Sequence, residues 1–94
     1  MKVLVVDSDE DVRCVTSLSL KLIGGLNVVE ADDPGQIIGI ALAESPDLVL
    51  MEISQENQQL IEQALSCLRS TPETARLPVV LLSTNSALHN EDQL

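Results

Sequence analysis

The stretch KVLVVDSDED, residues 2–11, decides the fold class of this chain. Four aliphatic residues follow Lys2, and the apolar run stops at Asp7. Continuous runs of this kind are typical of strands buried on both faces, as in a parallel sheet covered by helices. The acidic residues that follow favour a helix start, because Asp and Ser cap helix N-termini and acids suit their positive end. The segment therefore predicts a buried strand that leads directly into a helix.

The same alternation of strand and helix patterns continues along the chain. Three more strands are predicted at residues 26–31 (LNVVEA), 48–51 (LVLM) and 78–82 (PVVLL). Apolar residues recur at helical spacing between the strands; in the first helix they are Val12, Val15, Leu18 or Ser19, and Leu22. Strands that alternate with helices predict right-handed crossovers and a parallel α/β sheet with helices on both faces. We therefore predict a doubly wound, three-layer αβα sheet of strand order 2-1-3-4.

Composition excludes several function classes. With 94 residues the chain forms a single domain, residues 1–94. Five basic against fifteen acidic residues give a net charge of −10, which disfavours nucleic acid and anionic membranes as partners. Aromatic residues are absent, so neither base stacking nor an aromatic cation cage is available. No apolar run approaches the ~20 residues of a membrane span and no cleavage signal is visible, which predicts a cytoplasmic protein.

The two cysteines show no pattern of a functional site. Cys14 and Cys67 are far apart in the sequence, in segments that read as helices, and they lack metal-site spacing. We predict buried free thiols in a reducing compartment.

Polar residues end three of the predicted strands. Asp7 follows the first strand, Glu52 the third and Ser83 the fourth. A doubly wound sheet binds ligands outside the carboxyl ends of its strands, so these residues converge if the order is 2-1-3-4, with Asp9 at the same rim. Such residues are also ordinary helix caps. The sequence leaves open whether they cap helices or hold a hard cation such as Mg²⁺ or a phosphate.

Three segments together resemble the receiver domains of bacterial two-component response regulators. They are residues 3–11 (VLVVDSDED), 45–52 (SPDLVLME) and 68–83 (LRSTPETARLPVVLLS). The resemblance runs from residue 2 to about residue 84, and it lies in the order and spacing of the pieces. It implies a flavodoxin-like fold and a role in phosphorelay signal transduction.

The resemblance also assigns roles to residues near the strand ends. Glu52 stands at the position of the family's phosphoacceptor Asp. Asp7, Ser8 and Asp9 occupy the acidic pocket, where Ser8 replaces an acid that normally binds the metal. These departures imply a degenerate pseudo-receiver that does not take up a phosphoryl group in the usual way.

Metal and switch positions follow in the same way. The resemblance implies a Mg²⁺ site of Asp7, Glu52 and the carbonyl of Ser54, with binding weak or lost. The family's Pro-Gly loop after the acceptor has no counterpart here. Ser83 and Thr84 stand at the switch positions that report phosphorylation.

The resemblance leaves the output of the domain open. We expect no enzyme activity, and a protein partner such as a histidine kinase or an output protein. Glu52 could act as a crude mimic of a phosphorylated acid, or the domain could dock without any switch. A phosphatase-like hydrolase or a binder of phosphorylated small molecules is the less favoured alternative.

The chain is expected to end before the fifth strand and fifth helix of the family, together with the Lys that follows that strand. Residues 84–94 read as a loop in which a helix begins at Asn90. The fourth strand would then present a bare apolar edge, which predicts a homodimer or a partner segment that supplies a strand. Alternatively, the chain is a fragment of a longer protein.

Overall fold

The computed structural model describes residues 1–83 and 88–90 of the chain. Strands and helices alternate in the described part: β1 Lys2–Val6, α1 Glu10–Leu22, β2 Asn27–Ala31, α2 Ile37–Glu44, β3 Leu48–Ile53, α3 Gln58–Ser70, β4 Val79–Ser83 and β5 Leu88–Asn90. Short 3-10 helices occupy Pro34–Gln36 and Pro72–Thr74. Within these described ranges, every helix is too short or too polar to cross a bilayer.

The sheet has the order β2-β1-β3-β4-β5, and its first four strands are parallel. β1 lies in the middle, where Val5 is opposite Glu30 of β2 on one side and Leu50 of β3 on the other. In the next pair, Glu52 of β3 is opposite Leu82 of β4. The predicted order 2-1-3-4 is confirmed, and it brings the carboxyl ends of β1, β3 and β4 to one edge.

The main core lies between the sheet and the helices α2 and α3. Alternate strand residues point into it, and apolar helix residues meet them there: Leu4, Val6, Val49, Met51, Val79, Leu81, Ile37, Ala41, Ile61, Leu65 and Leu68. The intervening residues, such as Val5 and Leu50, point to the opposite face, where α1 packs. The αβα layering predicted from the sequence is therefore present.

Helix α1 packs on the sheet through a largely polar side. Ser17 is buried, and Arg13 and Leu20 are half-buried, while the other large apolar residues of α1 are exposed: Val12, Val15, Leu18 and Leu22. Arg13 explains the orientation, because its Nη1 donates to the carbonyl oxygen of Asp7 at 2.8 Å and its Nε to Glu30 at 3.0 Å. The helical spacing predicted from the sequence is present, but its apolar stripe faces away from the core.

The edge of β4 is paired, contrary to the prediction of a bare edge. β5 runs antiparallel to β4, with Val80 opposite Asn90 and Leu82 opposite Leu88. An apolar strand with open N–H and C=O groups pairs readily, and here the chain itself supplies the partner strand. The prediction of a loop with a helix start at Asn90 is therefore wrong over residues 88–90. Residues 84–87 and 91–94 lie outside the described residues.

Both cysteines are free, as predicted, but the prediction that they are buried is wrong. Cys14 on α1 and Cys67 on α3 are exposed. Each lies on the side of its helix that points away from the sheet, because other residues of the helix fill the contact with the strands.

Candidate functional site

A groove lies where β1, β3 and β4 end. Asp7, Glu52 and Ser83 line it, and so do Val12 and Thr16 of α1. Its volume is about 190 Å³, and its remaining walls are apolar residues of the strands: Val5, Val6, Leu50 and Leu82. The structure therefore brings together the three polar residues at the strand ends and sets them at one end of an apolar channel.

Asp7 is held in place from both its side chain and its backbone. It is only 9% exposed, and its Oδ1 accepts a hydrogen bond from the backbone N–H of Asp9 at 2.9 Å. Its carbonyl oxygen accepts the bond from Arg13 described above. Arg13 was not predicted as part of the site, and nothing in its spacing distinguishes it from a surface residue of an amphipathic helix.

Asp9 caps helix α1. Its Oδ1 accepts from the backbone N–H of Asp11 at 2.9 Å and of Val12 at 3.2 Å, which is the geometry of an N-cap. Between the two interpretations left open by the sequence, capping describes this residue. The neighbouring Ser8 is exposed and does not line the groove.

Asn57 organises the loop between β3 and α3. Its Oδ1 accepts from the backbone N–H of Ser54 at 2.7 Å, and its Nδ2 donates to the carbonyl oxygen of Glu52 at 3.1 Å. The side chain therefore closes the loop on itself instead of capping α3. Sequence reasoning missed this residue, although an Asn just before a helix is a recognised signal for a local side-chain contact.

The carboxyl group of Glu52 has a raised pKa. Burial at the groove is the largest cause, because it disfavours the charged form, and the negative charges of Asp7, Glu56 and Asp9 add to it. The groove therefore has an acidic end at which a cation or a proton would relieve repulsion.

The acidic end does not assemble a full set of metal ligands. Within residues 1–83 and 88–90, no group of three or more His, Cys, Asp or Glu side chains is placed to hold a metal ion. Asp7 and Glu52 are two carboxylates on one groove, while Asp9 is turned to the helix N-terminus. The third implied Mg²⁺ ligand, Ser54, lies in the loop that Asn57 closes through the backbone N–H of Ser54.

Neither protein-family models nor curated protein sequences match this chain. Solved structures do. One is the N-terminal domain of a response regulator receiver protein from Methanoculleus marisnigri JR1, at 27% identity and a TM-score of 0.74 over 86% of this chain. A signal receiver domain of two-component signal transduction (histidine kinase) from Clostridium thermocellum is 24% identical over 92% of the chain and 70% of its own length, with a TM-score of 0.73. The chain has the fold of these receiver domains and is similar to them in sequence.

A third solved structure has the same fold. The chemotaxis response regulator CheY4 of Vibrio cholerae matches 92% of this chain and 70% of its own length, with a TM-score of 0.77 at 21% identity. This chain spans 64% of the length of the Methanoculleus protein chain.

Two of the groove residues lie near the ends of their strands. Glu52 is the last but one residue of β3 and Ser83 is the last residue of β4. Thr84, the second predicted switch residue, lies outside the described residues.

Proposed function

We propose that this receiver domain acts in two-component signalling as a docking module that is not phosphorylated at Glu52. One observation carries the proposal: the side chain at the end of β3, beside Asp7 in the groove, is Glu where the family has its phosphoacceptor Asp. The partner would be a histidine kinase or an output protein, as for the family to which the fold belongs.

The extra methylene of Glu changes the position of the attacking oxygen. It moves the carboxylate by ~1.5 Å, and a misplacement of about 1 Å can cost a factor of ~100 in rate. Burial and the neighbouring acids also raise the pKa of Glu52, which reduces its nucleophilic, charged form at a given pH.

The rest of the site supports the same proposal. Ser8 contributes no charge and is exposed, so Asp7 is the acid of the β1–α1 loop that lines the groove. Phosphoryl transfer depends on positioning and on neutralisation of the phosphoryl charge. Two carboxylates would hold Mg²⁺ only weakly.

A phosphomimic role has one specific observation in its favour. Glu52 and Ser83 line the same groove, so the carboxylate of Glu52 shares this groove with the residue at the switch position. The mimicry is limited, because Glu carries −1 where a phosphoryl group carries about −2. Assembly through the β4 edge has lost its support, since β5 pairs with that edge.

The test is intact mass spectrometry after incubation with Mg²⁺ and acetyl phosphate. We expect no phosphoryl adduct on the native chain. The matched variant is Glu52→Asp, which restores the family's residue and changes one methylene only. An adduct on the variant alone would place the defect at residue 52 and favour the mimic.

The remaining outcomes are equally informative. If neither chain forms an adduct, features of the site other than Glu52 also prevent phosphorylation. That result agrees with a docking module that has no switch. A phosphoryl adduct on native Glu52 would overturn the proposal and make the domain an active receiver.

A further inference from the structure

The loop between β3 and α3, residues 54–57, is closed by one side chain. Asn57 accepts a hydrogen bond from the backbone N–H of Ser54 at 2.7 Å and donates one to the carbonyl oxygen of Glu52 at 3.1 Å. The loop contains neither Gly nor Pro, and none of its residues adopts a positive φ. Its closed shape therefore depends on the amide of Asn57 and not on a Gly or Pro at a turn position.

Asn57 makes these two bonds in place of a helix cap. It is the residue directly before α3, where an Asn side chain commonly accepts hydrogen bonds from the N–H groups of the first turn. Here the side chain makes no capping bond. Both polar atoms of the amide are used on the loop, and the side chain is half-buried there. The arrangement points to a role in the loop and not in the helix.

Glu52 lies at the start of this loop, beyond the pairing of β1 with β3. That pairing ends at Val6 and Met51. The carbonyl oxygen of the next residue, Glu52, takes its hydrogen bond from Asn57. The side chain of Glu52 is half-buried and lines the groove together with Asp7. Asn57 therefore holds the backbone of Glu52 at the point where the β1–β3 register has ended.

The closed loop also brings negative charges together. Burial raises the pKa of Glu52, and the charges of Asp7, Glu56 and Asp9 raise it further. Like charges oppose closure unless a cation or favourable hydrogen bonds offset the repulsion. Among the residues that the structure describes, no group of three or more His, Cys, Asp or Glu side chains is placed to hold a metal ion. The two bonds of Asn57 are the restraint that is present.

We propose that Asn57 is a positioning residue that holds the β3–α3 loop closed, and Glu52 at the groove, without a bound cation. Its amide serves one donor and one acceptor of the backbone, whereas a cation binds only oxygen atoms here and leaves the N–H of Ser54 without a partner. The proposal rests on the docking role argued above, which requires a groove of constant shape. Its tests use no phosphodonor, so their failure is distinguishable from failure of the acetyl phosphate experiment.

The first test measures amide hydrogen exchange of the native chain by NMR, with EDTA and then with millimolar Mg²⁺. In EDTA the N–H of Ser54 should exchange at least about 10-fold more slowly than in an unstructured peptide. Mg²⁺ should leave this rate unchanged. A Ser54 N–H that is unprotected in EDTA and becomes protected with Mg²⁺ would overturn the proposal, because a cation would then order the loop.

The second test removes the amide. In Asn57→Ala the N–H of Ser54 should exchange about 10-fold faster than in the native chain. Gln58→Ala is the matched control, because it removes the neighbouring side-chain amide, which is exposed and donates to Glu62 on α3 at 3.4 Å. It should leave the exchange of Ser54 unchanged.

Asn57→Asp separates the two bonds. It keeps the acceptor for the N–H of Ser54 and loses the donor to the carbonyl oxygen of Glu52. The exchange of Ser54 should therefore stay close to native in Asn57→Asp, while the carbonyl ¹³C signal of Glu52 should move in both Asn57 variants. A general loss of structure would change both signals in both variants.

Circular dichroism shows whether each variant is folded. If Asn57→Ala does not fold, the native chain with EDTA and Mg²⁺ decides the question alone. Native exchange of Ser54 in a folded Asn57→Ala protein would overturn the proposal. Equal acceleration in Asn57→Ala and Gln58→Ala, or in Asn57→Ala and Asn57→Asp, would overturn it as well.

Discussion

At the scale of single residues, a partly buried carboxyl group among other acids determines the properties of the groove. Glu52 is in that position, and its pKa is raised from the ordinary value of 4.5 mainly by burial. The folded protein therefore holds the proton on Glu52 more tightly than the unfolded chain does. The ionised carboxylate of Glu52 therefore destabilises the native state. This agrees with a role of Glu52 in recognition instead of stability.

The sign of this effect gives a prediction for pH. The pKa of Glu52 is higher in the folded protein than in the unfolded chain. Ionisation of Glu52 therefore lowers the free energy of unfolding. This loss is absent below the unfolded pKa and is complete once the pH has risen through the folded pKa. We expect Glu52→Gln to melt at a higher temperature than the native chain at pH 7. The difference should vanish near pH 4, as measured by circular dichroism.

The control for this pH series is Glu62→Gln, which removes an exposed carboxylate on α3. It should show no comparable change in melting temperature between the two pH values. A Glu52→Gln protein that is less stable than native at pH 7 would mean that the carboxylate is stabilised by a contact, and would contradict the prediction.

At the scale of elements, the β1–α1 junction links the fold to the groove. Asp9 caps α1, its backbone N–H binds Asp7, and Arg13 one turn later binds the carbonyl of Asp7. The start of the helix and the position of the groove carboxylate are thus set by the same few hydrogen bonds. Loss of the cap would loosen both.

We predict that Asp9→Ala lowers the free energy of unfolding by about 1 kcal/mol, the usual contribution of an Asp N-cap. For a domain of this size the melting temperature should fall by roughly 4–8 °C. The transition can be followed by circular dichroism at 222 nm, since the chain has no aromatic residues.

Asp32→Ala is the matched control for the cap. It also removes one negative charge. Asp32 is exposed, and its described hydrogen bond is made by its backbone N–H and not by its carboxylate. An equal loss of stability in both variants would attribute the effect to charge instead of capping.

At the scale of the whole molecule, excess negative charge opposes the compact state. Fifteen acidic residues and five basic ones share a single small domain. Their mutual repulsion is stronger when the chain is folded than when it is extended, and salt screens it. The same excess supports solubility and selects against acidic partners.

We therefore predict that the melting temperature rises by a few degrees between about 20 and 200 mM NaCl, as the Debye length shortens. Asp32→Lys, which reverses one exposed charge, should melt higher than the native chain at low salt and respond less to added salt. A melting temperature that falls with salt would show that ion pairs such as Lys2–Glu44 and Arg13–Glu30 outweigh the repulsion.

The sequence by itself determined the architecture and the residues at the strand ends. Apolar runs that stop at Asp7, Glu52 and Ser83 predict buried parallel strands, and the carboxyl ends of such strands meet at one edge for any sequence with this pattern. The assignment of Glu52 to the family's acceptor position also comes from the sequence, because it depends on local spacing, and it stays a prediction.

Only the tertiary structure decided what each neighbouring residue does. Asp9 and Asp7 look alike in sequence, but one caps α1 and the other lines the groove. The hydrogen bond of Arg13 to Asp7 lies on the side of α1 that faces the sheet, and Val12 is exposed. β5 pairs with the edge of β4, which was predicted to be bare. These outcomes depend on contacts between segments distant in the chain, and local periodicity carries no information about which of several compatible contacts forms.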